Sequence, residues 1–168
     1  LDADETITEP GRCAVLGADK SFNSKCRKAG LSTERRIIVA TTQALYMHGN
    51  VDLEDTKNEN KEDLRNGVDK LDKQIENMKP HGHRVVVALN KYHFDSEEEI
   101  AMIKEHCQQQ GVGFAINESF AKGGDGAIEL AEEVVRQIEN NPSAALQFTY
   151  NDNDAIDIKI EKIAKKIY

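Results

Sequence analysis

The stretch RVVVALNKYHFDSEEEI, residues 84–100, decides the fold class of this chain. Residues 85–89 form a continuous apolar run rich in β-branched side chains, which is typical of a strand buried on both faces. The run ends in a polar and aromatic loop, and Ser96 with Glu99 three residues later is the pattern of a capping box that begins a helix. In an open α/β sheet, ligands bind at the carboxyl ends of the strands, so functional residues are expected in this loop.

Two more short apolar runs, residues 37–42 and 112–116, predict strands that also run into polar segments. The segment after the first of them is expected to be a polar loop that includes Tyr46 and His48. Strands separated by helices require crossover connections and therefore a parallel sheet. Apolar residues at helical spacing predict the helices at residues 13–28, 64–78, 96–111, 128–138 and 156–167.

These patterns predict an α/β fold in three layers, with helices flanking a parallel sheet, like P-loop NTPase or Rossmann domains. Residues 1–10 lack periodicity and are expected to be a loose lead-in, whereas residues 11–168 are expected to form one domain. The chain begins with Leu1 rather than Met, so we expect it to be a processed product or a piece of a longer protein.

Composition limits the function classes. A net charge of −8 argues against nucleic acid as a main partner, because phosphate binding needs a concentrated basic face. No apolar run approaches the roughly 18 residues of a membrane span, and no signal-peptide pattern opens the chain. The three cysteines lack CxxC spacing, which favours reduced thiols and a cytoplasmic location. The five histidines have no zinc-ligand spacing, so no metal site is predicted from them.

Asn90 and Lys91 follow the buried strand as in the base-reading N-K-x-D motif of GTP-binding proteins. His93 occupies the place of the acid, and Asp95 lies two residues too late, which argues against guanine recognition. The alternative is that Asn90 satisfies backbone groups of the loop. Glu97, as part of an acidic run 97–99, is interpreted as a solvated helix start.

Two further features each leave two interpretations open. Residues 122–126, KGGDG, precede a helix start and could receive an anion on free backbone N–H groups, or form a plain loop in which Asp125 caps the helix. Tyr92 and Phe120 lie in polar loops after two different strands. They could enclose a flat heterocycle, or pack their loops onto the core.

Several segments together resemble formate–tetrahydrofolate ligase, also called formyltetrahydrofolate synthetase, in the order of that family. The resemblance covers residues 6–168, and the combination is more specific than any single motif. Residues 8–27 resemble TEAGFGADLGAEKF…KCR, residues 39–49 VATVRALKMHGG, residues 85–95 VVVAINRFPTD, residues 118–126 EVWAKGGEGG, and residues 159–168 EKIETIAKEIYG.

The resemblance implies an ATP-dependent joining of formate to tetrahydrofolate through formyl phosphate, which gives 10-formyltetrahydrofolate and is assisted by magnesium and a monovalent cation. It implies that Tyr92 and Phe120 flank the pterin ring. Small-molecule substrates, the remainder of the ligase chain and a homo-oligomer are the implied partners. The implied folate-binding residues are Tyr92, His93, Ile116 and Phe120, and the implied nucleotide or cleft residues are Thr41, Asn90, Glu118, Lys122, Gly123 and Gly124.

The sequence also departs from the family. No G-x-x-x-x-G-K-S/T phosphate loop occurs in it. Gln43 and Tyr46 stand where the family has Arg and Lys, and Phe120 replaces Trp. Two hypotheses follow: the chain is part of a ligase and is inactive alone, or it is a non-catalytic relative that binds folate or nucleotide or serves as a partner subunit.

Overall fold

The structure is a computed structural model that describes residues 6–9, 16–82 and 84–167. Three strands form one parallel sheet in the order β1 (Arg36–Ala40), β2 (Val85–Asn90) and β3 (Gly113–Asn117). The α/β prediction with a parallel sheet is confirmed. The strand predicted at residues 37–42 is shorter than expected, because Thr41 and Thr42 already belong to the start of a helix.

Helices connect the strands and follow them. Most begin and end within a few residues of the predicted limits, and the start of the helix predicted at residues 13–28 lies outside the described residues. A π-helical segment, Ser21–Cys26, separates α1 from α2. The helices are α1 (Leu16–Lys20), α2 (Arg27–Ala29), α3 (Thr42–His48), α4 (Lys61–Met78), α5 (Glu97–Gln109), α6 (Ser119–Lys122), α7 (Ile128–Asn140) and α8 (Ile156–Ile167).

Helices flank both faces of the sheet. Every residue from Val85 to Leu89 is buried, as expected for a central strand covered on both sides. Val85, Val87 and Leu89 belong to the same core as the buried residues of α3, α4 and α5. On the other face, a Cβ atom at Gly113 would lie 3.1 Å from Val86 and 3.3 Å from Gln137 of α7, so α7 crosses close to β3.

The loop predicted after β1 is wrong, because residues 42–48 form helix α3. The Thr41 side chain accepts a hydrogen bond from the Ala44 N–H at 3.0 Å and caps this helix. Leu45 is buried against α4, where Gly67 allows the backbones to approach: a Cβ atom at Gly67 would lie 1.8 Å from the Leu45 carbonyl oxygen. Tertiary packing thus forms a helix that periodicity did not indicate.

The capping box predicted at the start of α5 is confirmed, but the acidic run behind it is not uniformly solvated. Ser96 accepts from the Glu99 N–H at 3.2 Å, and the Glu99 carboxylate accepts from the Ser96 N–H at 2.7 Å. Glu99 is buried, and its carboxylate also accepts a hydrogen bond from the buried hydroxyl of Tyr46. That hydroxyl accepts from the Asn60 N–H at 2.9 Å, so one Tyr–Glu pair joins α3, α5 and the connector before α4.

Cys26 and Cys107 are buried and free, whereas Cys13 lies outside the described residues. Burial raises the pKa of the Cys107 thiol to about 12, so it is protonated at neutral pH. In the part of the chain that the structure describes, no helix combines the length and apolar character needed to cross a bilayer.

Candidate functional site

The carboxyl ends of β2 and β3 lie side by side. Asn90 pairs with Asn117 in the strand register, and the Asn117 side-chain amide donates to the Asn90 side-chain oxygen at 2.7 Å. The Lys91 N–H donates to the Asn117 carbonyl at 3.0 Å, which continues the ladder by one step. The loops that follow these two strands therefore start from one fixed point. Asn90 bonds to a neighbouring strand end rather than to its own loop.

Asp95 holds the loop after β2 in place. Its buried carboxylate accepts from the Tyr92 N–H at 2.8 Å and from the hydroxyl of Thr42. The second contact ties this loop to the end of β1, where Thr41 begins α3. In the sequence, the position of Asp95 served only to argue against guanine recognition. In the structure, Asp95 fixes the loop after β2 at the carboxyl edge of the sheet.

Three aromatic rings cluster in this loop. Tyr92 stacks on Phe94 with ring centroids 5.1 Å apart and an angle of 17° between the planes. His93, which is exposed, meets the Phe94 ring edge-on with centroids 5.0 Å apart. Tyr92 remains 37% exposed, so part of its ring faces solvent. Sequence reasoning missed Phe94, although its place between His93 and Asp95 was a visible signal of an aromatic cluster.

The segment after β3 is helical rather than a plain loop. Helix α6 leads into a 3-10 helix, Gly123–Ala127, and the Glu118 N–H donates to the Gly126 carbonyl at 2.9 Å to close the segment. Phe120 is fully exposed, so packing of this ring onto the core is wrong. The prediction that Asp125 caps the next helix is also wrong: α7 starts at Ala127 as its N-cap, without a side-chain hydrogen bond.

Both lysines of the edge are paired with carboxylates. Lys122 Nζ lies 2.5 Å from Glu118 Oε2, and this hydrogen bond lowers the pKa of the Glu118 carboxyl. Lys91 Nζ lies 2.7 Å from Glu97 Oε1, and this hydrogen bond raises the pKa of the lysine. Each shift favours the charged form of its group, Glu118 in the first pair and Lys91 in the second. The edge offers aromatic surface, amide groups and paired charges, which suit binding of a flat polar heterocycle.

The remaining predicted residues occupy less prominent positions. Ile116 is half-buried, and its N–H donates to Glu129 Oε1 at 3.2 Å. Gly123 and Gly124 are exposed, and a Cβ atom at either would meet no atom within 4 Å. Gly123 has φ of 61°, a left-handed conformation that favours glycine.

Two departures from the family pattern also have definite surroundings. The Tyr46 side chain lies in the core, and burial with its hydrogen bond to Glu99 raises the pKa of its hydroxyl. Gln43 is half-buried and donates to the Thr56 hydroxyl at 3.3 Å. Neither position therefore presents a charge at the edge, and Tyr46 has a structural role.

A groove of about 430 Å³ lies away from this edge, between α5 and α7 beside β3. Charged and amide side chains line much of it, among them Lys104, Glu133 and Arg136. The loops after β2 and β3 combine exposed aromatic rings, Tyr92 and Phe120, with fixed polar groups, and they form the candidate site.

Comparison with known proteins gives consistent matches over nearly the whole chain. The sequence model of the family described as "Formate--tetrahydrofolate ligase" matches residues 2–168. The chain is 54% identical over 165 residues to the formate–tetrahydrofolate ligase of Parabacteroides distasonis, which covers 98% of this chain and 30% of that protein. It is 52% identical to the ligase of Bacteroides fragilis and 48% identical to that of Phocaeicola vulgatus, with 30% of each relative covered. The chain thus spans about 30% of the length of these relatives.

Proposed function

This chain belongs to the formate–tetrahydrofolate ligase family, and on that premise we propose that it supplies the folate-binding part of an ATP-dependent ligase. The reaction joins formate to tetrahydrofolate through formyl phosphate and gives 10-formyltetrahydrofolate. Residues 11–168 act as one α/β unit together with the remainder of a ligase polypeptide. A cytoplasmic location and self-association are part of the same proposal.

The observation that supports folate binding best is the exposure of Phe120 next to an ordered strand end. The Phe120 side chain is fully exposed, so its ring is available to stack on a ligand. Tyr92 offers a second ring on the neighbouring loop, supported from behind by Phe94. Aromatic side chains stack well on flat heterocycles such as a pterin. Tyr92, His93, Ile116 and Phe120 are the proposed folate residues.

The strand ends supply groups that orient such a ring. The Asn90 side-chain oxygen is occupied by Asn117, which leaves the Asn90 NH₂ group to donate to a ligand oxygen or nitrogen. The Lys122–Glu118 pair and the adjacent Gly123 and Gly124 lie on the other loop. With Thr41, these are the proposed nucleotide or cleft residues, because they lie at the sheet edge where ligands of α/β proteins bind.

This part alone is expected to bind rather than to turn over. Phosphoryl transfer depends on positioned cationic groups, and the two lysines described at this edge, Lys91 and Lys122, are paired with carboxylates. Among the described residues, no three His, Cys, Asp or Glu side chains converge to hold a metal ion. Magnesium is usually held by one or two carboxylates together with substrate phosphates, so it would bind here with the nucleotide rather than in a cage made by the protein alone.

Calorimetric titration with tetrahydrofolate tests the proposal. Phe120→Ala and Tyr92→Ala should each weaken binding about fivefold or more, since stacking on one aromatic side chain contributes about 1–3 kcal/mol. Leu53→Ala is a matched control, because Leu53 is 56% exposed and lies in the connector before α4. Absence of heat with the unmodified chain, or equal affinities for all variants, would contradict folate binding at this edge.

A non-catalytic relative is the second candidate. The placement of Tyr46 in the core and the Gln43–Thr56 hydrogen bond favour it, because both positions carry neutral residues with structural contacts. Release of ADP that depends on formate and tetrahydrofolate is the discriminating measurement. Both candidates predict no ADP release from this chain alone, so robust turnover by the chain alone would exclude both. The two differ when the segments of a relative that this chain does not cover are added: turnover would then favour the ligase.

A further inference from the structure

The outer edge of β3 is protected by charge. The Asn117 carbonyl accepts a hydrogen bond from the Lys91 N–H, so the backbone groups of Asn117 point toward β2. Successive residues of a strand alternate in this direction, so the backbone groups of Phe114 and Ile116 point away from the sheet. The Ile116 N–H is taken by the Glu129 carboxylate at 3.2 Å. Charged side chains along a sheet edge prevent the addition of another strand. β3 therefore has the features of a solvent-facing outer edge.

The outer edge of β1 has the opposite character. The Arg36 N–H donates to the Arg84 carbonyl at 3.3 Å, toward β2, so Ile37 and Val39 direct their backbone groups outward. Among the described residues, no hydrogen bond reaches either of these two amides. Val39 is 60% exposed although it lies in a strand. On β3 the Glu129 carboxylate accepts a hydrogen bond from an outward-facing N–H, and β1 has no such charged side chain on its outward-facing N–H groups among the described residues.

An apolar flank of α7 adjoins this open edge. Ile37 and Val39 are in register with Val86 and Ala88, so they lie on the sheet face that α7 covers. Glu129 and Glu133 occupy the flank of α7 that reaches β3. With 3.6 residues per turn, the opposite flank points over β1 and is apolar. Its residues are Ile128, Ala131 and Val135, all of them exposed.

We propose that the β1 face, defined as Ile37, Val39, Ile128, Ala131 and Val135, is where the rest of the ligase continues this α/β unit. The occupant is an extended segment that pairs with β1, together with a helix that packs beside α7. Both come from the part of the ligase polypeptide outside this chain. The chain itself spans 30% of the length of the Parabacteroides distasonis relative. Apolar surface next to an unpaired strand suits that occupant, whereas the charged β3 side does not. This inference rests on family membership and not on folate binding, so the two can fail separately.

Amide hydrogen exchange tests the proposal in two forms of the protein. One is the isolated chain, and the other is a chimera in which this chain replaces the 165 residues that it matches in the Parabacteroides distasonis ligase. In the isolated chain, the amides of Ile37 and Val39 should exchange rapidly. In the chimera they should slow by at least about tenfold, while Phe114 should change little. Protection of Ile37 and Val39 in the isolated chain would overturn the proposal, and so would protection at Phe114 rather than β1 in the chimera.

Val39→Asp provides a second measurement. It should lower the thermal midpoint of the chimera by more than that of the isolated chain. The loss of strand propensity is common to both proteins, whereas the contact of residue 39 with the added segment exists only in the chimera. Leu53→Asp, at a similarly exposed position, should act equally in the two proteins. Equal effects of Val39→Asp in both would overturn the proposal. A dimer of the isolated chain in sedimentation velocity that Val39→Asp dissociates would overturn it as well, since a second copy would then cover the β1 face.

Discussion

Single buried polar residues determine much of what the sequence could not reveal. Tyr46 occupies a position where the family has a lysine, and its neighbours suggested a polar loop. In the structure its hydroxyl donates to Glu99 and accepts from the Asn60 N–H, which joins three segments far apart in sequence. Such a contact depends on tertiary packing, and neither residue type nor spacing signals it. Glu99, in contrast, was correctly predicted as a capping residue, because the capping box is local.

Replacement of Tyr46 by Phe should destabilise the chain by about 1–3 kcal/mol, since the buried Glu99 carboxylate and the partly buried Asn60 N–H would each lose a hydrogen-bond partner. Urea denaturation followed by circular dichroism measures the change. Tyr150→Phe is the control, because the contacts of Tyr150 are made by its ring and its carbonyl oxygen. Equal stabilities of the unmodified chain and Tyr46→Phe would contradict this role.

His81 gives a prediction about pH. Burial lowers its pKa below the ordinary value, with Arg36 and Lys166 adding to that effect, while the hydrogen bond to the Gln147 carbonyl at 2.8 Å and Asp19 oppose it. The unfolded chain therefore binds the proton more readily. Stability should fall as the pH drops below about 6.5, and the loss should end once the pH passes the folded-state pKa.

The measurement for His81 is the free energy of unfolding in urea between about pH 7.5 and pH 5. His81→Asn can still donate to the Gln147 carbonyl but does not titrate, so it should flatten this part of the profile. The unmodified chain, measured under the same conditions, is the reference for this slope. An unchanged slope in His81→Asn would show that other groups cause the pH dependence.

At the scale of elements, strongly patterned segments were predictable and weakly patterned ones were not. The apolar run of β2 and the stripe of α4 gave their types correctly, the first through its continuous β-branched side chains and the second through periodicity over 18 residues. Helix α3 is only seven residues long, and its apolar residues, Ala44 to Met47, are consecutive rather than at helical spacing, so its pattern resembled a loop. The segment 118–127 contains three glycines and nevertheless forms short helices, closed by the Glu118–Gly126 hydrogen bond. Packing on α4 decides the structure of α3, and the hydrogen bond between Glu118 and Gly126 near its two ends closes the segment 118–127.

Gly67→Ala tests the close packing of α3 on α4. A Cβ atom there would lie 1.8 Å from the Leu45 carbonyl oxygen, which is backbone and cannot move without displacing α3. We expect a loss of about 1–3 kcal/mol in the free energy of unfolding, despite the higher helix propensity of alanine. Gly124→Ala is the control, because a Cβ atom at Gly124 meets nothing within 4 Å. A stabilised Gly67→Ala variant would contradict the packing described here.

At the scale of the whole molecule, the sequence patterns indicated which faces favour burial but not what buries them. The apolar stripes of α7 and α8 were predicted correctly, yet Ile128, Val135, Ile156 and Ile160 are exposed. A pattern of spacing cannot tell whether the partner of a face lies within the same 168 residues. The candidate residues of the sheet edge came from family resemblance, and only the structure showed that Phe94 supports Tyr92 and that Asp95 fixes the loop.

The most direct measurement of the central claim is an NMR titration of the ¹⁵N-labelled 168-residue chain with tetrahydrofolate. Folate binding at the carboxyl edge of the sheet predicts concentration-dependent shifts of the Asn90, Tyr92, His93 and Phe120 amides. Those shifts should weaken strongly in Phe120→Ala and persist in Leu53→Ala. Shifts confined to the groove beside β3, or no shifts at saturating tetrahydrofolate, would contradict the claim.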